Sequence, residues 1–201
     1  MSAPVLRSGR QLWAAVRAMV VATVVLGLLY PLLVTGVAQL IAPGRANGSL
    51  VHSGGQVVGS SLIGQGFTDA AGNPLPRYFQ TRPSASDYDG KASGGSNLGP
   101  NSSELADLIE QRRAEVAAFN GVDPADVPAD SVTASASGLD PGISRAYAAL
   151  QVDRVAAERG VAPDEVGALV AQATVGRDLG FIGAPYVNVL QLNLALDREL
   201  E

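Results

Sequence analysis

An uninterrupted apolar segment near the N-terminus constrains this chain more than any other feature. From Ala18 to Ala42 the sequence AMVVATVVLGLLYPLLVTGVAQLIA contains no Asp, Glu, Lys, Arg or His. A helix of that length, rising about 1.5 Å per residue, spans roughly 37 Å and exceeds the ~30 Å hydrocarbon core of a bilayer. The segment therefore predicts a transmembrane helix over residues 18–42. A cleaved signal peptide is the alternative, but its apolar region is usually only about 7–15 residues long.

The charges that flank this segment predict its orientation. Arg7, Arg10 and Arg17 precede it, and the first acidic residue of the chain is Asp69. Basic residues collect on the cytoplasmic side of membrane helices. We therefore expect a cytoplasmic segment over 1–17, a single-pass helix over 18–42 in the cell's inner or plasma membrane, and an extracytoplasmic domain over 43–201.

The composition of the outer part excludes several classes of protein. Beyond residue 42 the chain has 11 basic and 19 acidic side chains, a formal net charge of −8. Such a surface argues against a nucleic-acid partner, which calls for a basic patch. The chain contains no Cys, and its single His, His52, has no neighbouring carboxylate cluster in the sequence. The sequence therefore predicts no metal site and no catalytic base at His52.

Helical patterns occupy much of the outer part. Residues 103–120 carry apolar side chains at helical spacing, with a capping box formed by Asn101 and Glu104 before them and a glycine stop after them. A second helix is expected after Ser144, ending at Gly160. Pro163 and the two acidic residues that follow it predict a third helix over 163–175.

Two further segments of the outer part have strand patterns. Apolar pairs on either side of Gly54-Gly55 predict a β-hairpin over residues 50–63. The sequence YVNVLQLNLALD, residues 186–197, alternates apolar and polar side chains and predicts a half-buried strand. The chain is therefore expected to be a transmembrane helix followed by a small α+β domain.

Motifs that would indicate an enzyme are missing from the sequence. Gly90-Lys91 lacks the first glycine and the following Ser or Thr of a phosphate-binding loop, and no nucleophile elbow or zinc-protease helix is present. A membrane-anchored hydrolase is one alternative. It would need a nucleophile and a base, and the chain offers no such pair around its one histidine. The residues by themselves therefore argue against an enzyme.

Two loop stretches, 78–102 and 128–144, are rich in Ser, Gly and Asn but also contain apolar and aromatic side chains. A disordered linker would not need those side chains, so the stretches are interpreted as loops that are packed or that recognise a partner. The predicted docking residues are Tyr78, Phe79, Arg82, Pro83, Ser84, Tyr88, Ser93, Gly94, Gly95, Ser96, Asn97, Ser135, Ser137, Gly138 and Asp140.

These stretches carry a resemblance to a known family. YFQTRPSASDYDGKASGGSNLGP and VPADSVTASASGLDPGIS, followed by ALQVDRVAAERG and VNVLQLNLALD, resemble the KdpC family, the C subunits of bacterial Kdp potassium-transporting P-type ATPases. The upstream YPLLVTGVAQLIAP and GSSLIGQGF are similar as well. The resemblance implies a high-affinity potassium pump made of a channel-like A subunit, a catalytic B subunit that hydrolyses ATP, a small F peptide and this chain as a non-catalytic assembly and stabilising factor.

The resemblance also implies an alternative role. In the family, a Gln that corresponds to Gln151 has been proposed to contact nucleotide, so that the C subunit acts as a catalytic chaperone promoting ATP binding to the B subunit. ATP is cytoplasmic, whereas the arginines before the apolar segment place Gln151 outside. We therefore favour a domain docked on the channel-like subunit, with Gln151 as an internally satisfied helix residue. No tightly bound cofactor is expected, and ATP is the one candidate ligand.

Overall fold

The computed structural model describes residues 8–200. The chain divides into two compact units, Met1–Ser49 and Leu50–Glu201. The first unit contains α1 (Ser8–Val24) and α2 (Tyr30–Ile41), joined by a single turn of π-helix at Val25–Leu29, and the short helix α3 (Pro43–Ala46). The continuous helical segment Gly9–Ile41 is long and apolar enough to cross a membrane, and none of its apolar stretch is buried within the protein.

The π-helical turn has a cause in the sequence. Pro31 has no backbone N–H and its ring crowds the preceding turn, so a regular α-helical bond cannot form there. In the wider turn the backbone N–H of Tyr30 donates instead to the carbonyl of Val25. At the other end of the unit, Gln39 and Asn47 exchange two side-chain hydrogen bonds of 3.1 and 3.2 Å. Those bonds tie the end of α2 to the residues that follow α3.

The second unit opens with a β-hairpin, which confirms that prediction. Strands β1 (Leu50–Ser53) and β2 (Gln56–Ser60) are antiparallel and pair Ser53 with Gln56 across the turn. Gly54 and Gly55 form this turn with φ angles of 56° and 79°, values that glycine adopts without steric strain.

The helices of the second unit are α4 (Ser103–Asn120), α5 (Ala129–Val132), α6 (Arg145–Arg159), α7 (Pro163–Gln172) and α8 (Val189–Glu199). A 3₁₀ turn at Pro124–Asp126 lies between α4 and α5. Three short strands, β3 (Gly142–Ile143), β4 (Thr174–Val175) and β5 (Tyr186–Asn188), form an antiparallel sheet with β5 in the centre. The antiparallel strands and separate helices confirm the α+β class.

The ends of α4 and α6 follow from local sequence. Each helix is followed by a glycine in the left-handed conformation, Gly121 with φ 67° and Gly160 with φ 68°. Ser144 caps α6 as predicted, because its side chain accepts a bond from the N–H of Tyr147. The predicted capping box at Asn101 is wrong: Ser102 is the cap of α4 and accepts from Leu105.

Two further predictions are corrected by the structure. The third helix ends at Gln172, and Thr174 and Val175 form a strand rather than a last helical turn. The strand predicted over 186–197 ends at Asn188, after which the chain is helical. Asn188 ends it because its side chain accepts a hydrogen bond from the N–H of Gln191 and so starts α8.

The main core lies where α6, α7 and α8 pack around the central strand. Its fully buried side chains include Val155 of α6, Val166 of α7, Val187 of β5 and Leu192 and Leu196 of α8. Each such side chain stabilises the fold by about 1.5–3 kcal/mol relative to an exposed one. On α8 the fully buried Val189, Leu192 and Leu196 are three and four residues apart, which is the helical period.

Candidate functional site

The two loop stretches predicted to dock a partner lie against each other. The Ser84 hydroxyl donates to the carbonyl of Gly138 at 2.7 Å, and the N–H of Gly94 donates to the carbonyl of Ser137 at 2.8 Å. A third bond runs from the N–H of Ser135 to the carbonyl of Pro83 at 3.2 Å. The stretches therefore form one layered loop structure, called here the paired loops (78–102 and 128–144).

Glycine is required where the paired loops meet most closely. A Cβ atom on Gly138 would lie 2.3 Å from the Ser86 Oγ and 2.8 Å from the Gly94 carbonyl oxygen. Gly138 also has φ +70°, which L-residues adopt with strain. Gly95 is tight as well, because its Cβ would lie 3.0 Å from the Ala136 carbonyl oxygen. Small residues thus let the two backbones approach each other.

Tyr88 holds the first loop from within. Its hydroxyl donates to the carbonyl of Arg82 at 2.5 Å and accepts from the Thr81 hydroxyl at 2.6 Å. Burial raises the pKa of the Tyr88 phenol, so the hydroxyl remains a donor at neutral pH. The Ser84 Oγ accepts from the N–H of Tyr88 at 3.0 Å and fixes the left-handed backbone there.

One ion pair joins the paired loops. The Arg82 Nη1 lies 3.0 Å from the Asp140 Oδ2, and the Arg82 Nη2 donates to the Thr133 carbonyl at 3.3 Å. Arg82 Nε and the Ser135 Oγ are buried and have no hydrogen-bond partner among residues 8–200. The pair is half-buried and serves mainly to fix the geometry of the loops.

The start of the first loop is anchored in the core. Phe79 is fully buried and belongs to the main core cluster. The Tyr78 hydroxyl donates to Asp197 at 2.9 Å, and Asp197 also accepts from Arg159 at 2.7 Å. Burial and the nearby carboxylate raise the pKa of the Tyr78 phenol. These contacts attach the loop to α6 and α8.

Two buried amides extend this anchoring. The Gln151 Oε1 accepts from the N–H of Gln80 at 2.7 Å, and the Gln151 Nε2 donates to the Gln80 carbonyl at 3.1 Å. Asn193 makes the same pair of bonds with Phe79, at 2.9 and 3.0 Å. Side chains of α6 and α8 thus supply the donors and acceptors that a neighbouring strand would offer residues 79–80. Sequence reasoning missed Asn193, for which a polar side chain on an otherwise apolar helix face was the available signal.

Gln151 is further fixed by a half-buried arginine, Arg154. The Arg154 Nη2 donates to the Gln151 Oε1 at 2.8 Å, and Arg154 Nη1 donates to the carbonyls of Tyr78 and Pro76. Burial lowers the pKa of Arg154 to about 10, so the guanidinium remains charged at neutral pH. Its carbon Cζ lies 4.4 Å from the centroid of the Phe119 ring. Gln151 is 0% exposed, so its amide serves contacts inside the domain.

The predicted docking residues divide into two groups by exposure. Phe79, Ser135 and Gly138 are buried and support the loops from inside, whereas Ser93, Ser96, Asn97 and Ser137 are exposed. The other eight, Tyr78, Arg82, Pro83, Ser84, Tyr88, Gly94, Gly95 and Asp140, are half-buried. Docking through the paired loops stays a prediction, and the exposed group is the part that a partner would meet.

A cleft of about 270 Å³ opens beside the first loop. Thr81 and Pro83 form one side of it, Arg112 and Phe119 of α4 form the other, and Tyr147 of α6 lies among its lining residues. Burial raises the pKa of the Tyr147 phenol. Within residues 8–200 no group of three or more His, Asp or Glu side chains is placed to hold a metal ion, and His52 lies exposed on β1.

Comparisons with known proteins cover nearly the whole chain. Residues 12–198 match the family model described as "KdpC: K+-transporting ATPase, c chain". A potassium-transporting ATPase KdpC subunit of Kineococcus radiotolerans is 53% identical over 189 residues, which cover 93% of this chain and 93% of the relative. The corresponding subunit of Gemmatimonas aurantiaca is 55% identical over 174 residues, with 85% and 84% covered. That of Streptomyces coelicolor is 45% identical over 215 residues, with 98% and 96% covered.

Proposed function

The chain belongs to the KdpC family of potassium-transporting ATPase c chains, and from this membership we propose that it is a non-catalytic, membrane-anchored subunit of such a pump. Its second unit docks through the paired loops on the channel-like A subunit and stabilises the complex with the catalytic B subunit and the F peptide. The apolar helix Gly9–Ile41 holds it in the membrane. The acidic domain lies on the extracytoplasmic side, in keeping with the arginines before that helix.

The observation that carries this proposal is the construction of the paired loops. They are rich in small polar residues, yet they are cross-linked by hydrogen bonds and attached to the core through Gln151 and Asn193. A surface that is rigid before binding loses less conformational entropy when a partner docks. The loops therefore suit stable assembly better than transient recognition.

The alternative role, promotion of ATP binding to the catalytic subunit, is less well supported by the contacts of Gln151. Its side chain is fully buried, and its two polar atoms bond Gln80 and Arg154. A nucleotide would have to displace these bonds to reach the amide. Under our proposal Gln151 acts on the shape of the first loop.

The proposal is tested by co-expressing the A, B and F subunits with and without this chain and purifying through the B subunit. We expect potassium-stimulated ATPase activity only when the chain is present. An equally active complex without it would refute a necessary stabilising role. In the intact complex Gln151→Ala is expected to leave the apparent ATP affinity unchanged while lowering the yield of complex, whereas a weaker ATP affinity at full yield would favour the chaperone role.

A further inference from the structure

The cleft beside the first loop is lined by a phenol that the fold does not use. Tyr147 is only 3% exposed, and its hydroxyl forms no hydrogen bond with any of residues 8–200. Polar groups at such depth are normally paired, so an unpaired one calls for an explanation. Burial raises the pKa of this phenol, so the hydroxyl keeps its proton at neutral pH. Tyr147 therefore offers the cleft a hydrogen-bond donor.

Arg112 of α4 brings further donors to the same cleft. Its Nη1 donates to the carbonyl of Val132 at 3.2 Å, which fixes the guanidinium in place. The other edge of the group, formed by Nε and Nη2, has no acceptor within residues 8–200, and no carboxylate in that range forms an ion pair with Arg112. One edge of a guanidinium can bind both oxygens of a carboxylate. The fold thus leaves a carboxylate-binding edge unused at the cleft.

The charges around the cleft favour a ligand with a single negative charge. Arg112 and Glu115 both line it, and Glu115 is exposed. Arg154 and Asp130 have opposite charges and lie within electrostatic reach of the Tyr147 phenol. A carboxylate would form an ion pair with Arg112, whereas a phosphate, with a charge of about −2, would also be repelled by the two acids. A monocarboxylate fits this balance best.

The remaining walls of the cleft are largely apolar. Pro74, Pro83, Val116 and the ring of Phe119 contribute to them. The volume of about 270 Å³ lies just below the roughly 300–1,000 Å³ of pockets that take drug-sized ligands, so the ligand should be small. An aromatic or branched hydrocarbon group would lose its exposure to water against these walls.

We propose that this cleft binds a small organic acid that carries one carboxylate on an aromatic or branched apolar group. The carboxylate oxygens accept from Nε and Nη2 of Arg112, and the Tyr147 hydroxyl donates to one of them. The apolar group packs against Phe119 and the prolines. This inference goes beyond the proposed function and does not rest on it, because this chain alone supplies every contact.

The test uses para-fluorobenzoate as the probe and para-fluorobenzamide, which has nearly the same shape but no charge, as its control. The full chain is held in phosphatidylcholine nanodiscs, and the broadening of the fluorine NMR signal measures binding, with empty nanodiscs as the blank. We expect the benzoate to bind saturably and the benzamide to bind about tenfold or more weakly, because it lacks the charge-assisted bonds. Equal affinities, or a benzoate signal no different from the blank, would overturn the proposal.

Substitutions locate the site. Arg112→Gln should weaken benzoate binding about tenfold or more. Arg113→Gln is the matched control, because Arg113 is the next residue of α4 and pairs with Glu110 at 2.8 Å, and it should change the affinity by less than about twofold. Tyr147→Phe keeps the ring and should weaken binding about three- to tenfold. Circular dichroism checks that each variant folds. If Arg112→Gln does not fold, Tyr147→Phe decides alone, and an unchanged affinity in either folded variant would place the benzoate elsewhere.

A final titration separates a free acid from a carboxylate side chain of another subunit. It is repeated with the chain co-purified with the A, B and F subunits. A free ligand needs the cleft to remain open, so we expect the affinity to stay within about twofold of that of the lone chain. Loss of binding in the complex would show that a neighbouring subunit fills the cleft, and would overturn the proposal. Failure of the subunits to co-purify would count against the proposed function, while the lone chain would still decide this inference.

Discussion

Gln151 on α6 and the backbone of Gln80 exchange two hydrogen bonds, although they are 71 residues apart in the chain. The side-chain amide thereby satisfies both the N–H and the carbonyl of a residue that has no neighbouring strand. Buried backbone groups that lack a partner are strongly destabilising. The side chain of Gln151 therefore takes the place of a strand edge for the first loop.

Gln151→Ala should destabilise the domain. It leaves the N–H and carbonyl of Gln80 without their partners, at about 1–3 kcal/mol for each buried group. We expect the free energy of unfolding, measured by urea titration of the detergent-solubilised chain, to fall by roughly 3 kcal/mol. Gln111→Ala is the matched control, because Gln111 is exposed on α4, and it should change stability by less than about 0.5 kcal/mol. Equal effects of the two changes would contradict the internal role of Gln151.

Gly138→Ala should lower the free energy of unfolding more than Gly72→Ala does, although both glycines have a positive φ. Gly138 and Gly72 both have positive φ, +70° and +88°, but a Cβ on Gly72 meets no atom within 4 Å. Gly72→Ala should therefore lose only the conformational term of about 1–2 kcal/mol. Gly138→Ala adds a clash with Ser86 and should lose roughly 1–3 kcal/mol more, as overpacked sites do. Urea unfolding of both variants compares them, and indistinguishable losses would show that the paired loops are not tightly packed.

The buried phenol of Tyr147 should make the domain less stable at alkaline pH. Its pKa is raised in the folded state by burial, so above about pH 10 the unfolded chain releases this proton first and stability falls as pH rises. The limiting slope is about 1.4 kcal/mol per pH unit for one such group. Arg154 acts in the opposite direction, because its lowered pKa of about 10 means that the unfolded state holds the proton longer.

Tyr147→Phe isolates the tyrosine contribution. The ring stays in the core while the titrating hydroxyl is removed, so stability at pH 7 should change by no more than about 1 kcal/mol. Between pH 10 and 11 the variant should lose stability less steeply than the unaltered chain, by up to about 1.4 kcal/mol per pH unit. Urea titrations at pH 7, 10 and 11 measure both quantities. Parallel curves for the two proteins would show that Tyr147 does not titrate differently on unfolding.

The orientation of the membrane helix can be tested with single cysteines, because the chain contains no Cys. Ala125→Cys in intact cells should react with a membrane-impermeant maleimide, because the positive-inside tendency places the domain outside. Ser2→Cys, in the segment before the membrane helix, should react only after permeabilisation. The reverse pattern would place Gln151 in the cytoplasm and would remove the topological objection to a role in ATP binding.

Local signals in the sequence were sufficient to predict parts of the fold. The glycine stops at Gly121 and Gly160, the cap at Ser144 and the turn at Gly54-Gly55 act within a few residues, so the pattern that predicts each is also its physical cause. The long apolar helix was predicted just as directly, because the length of the apolar segment alone is enough to cross a bilayer. The family resemblance is confirmed by the comparisons.

The prediction failed where two local patterns competed. Leucines at every second position from Leu190 to Leu196 resemble a strand, yet Val189, Leu192 and Leu196 are the fully buried ones and their spacing is helical. The cap at Asn188 decides between the two patterns. Only the structure shows which leucines face the core.

The contacts beneath the candidate site could not be predicted from the sequence for a different reason. Asn193 bonds the backbone of Phe79 from 114 residues away, and nothing near Asn193 in the sequence identifies its partner. The same holds for the close approach of Gly138 to Ser86. A single sequence predicts composition and exposure of such loops, but not which segment fills the space beside them.

The amide bonds from α8 also set an order of events during synthesis. A ribosome that adds about 5–20 residues per second needs roughly 6–23 s after Phe79 to reach Asn193. For that interval Phe79 and its backbone lack their native partners, and the nascent segment is open to chaperones, proteases and wrong contacts. A chain released before its last helix would lack the bonds from Asn193 to Phe79 and from Tyr78 to Asp197, so the start of the first loop obtains its full set of core contacts only when α8 has been made.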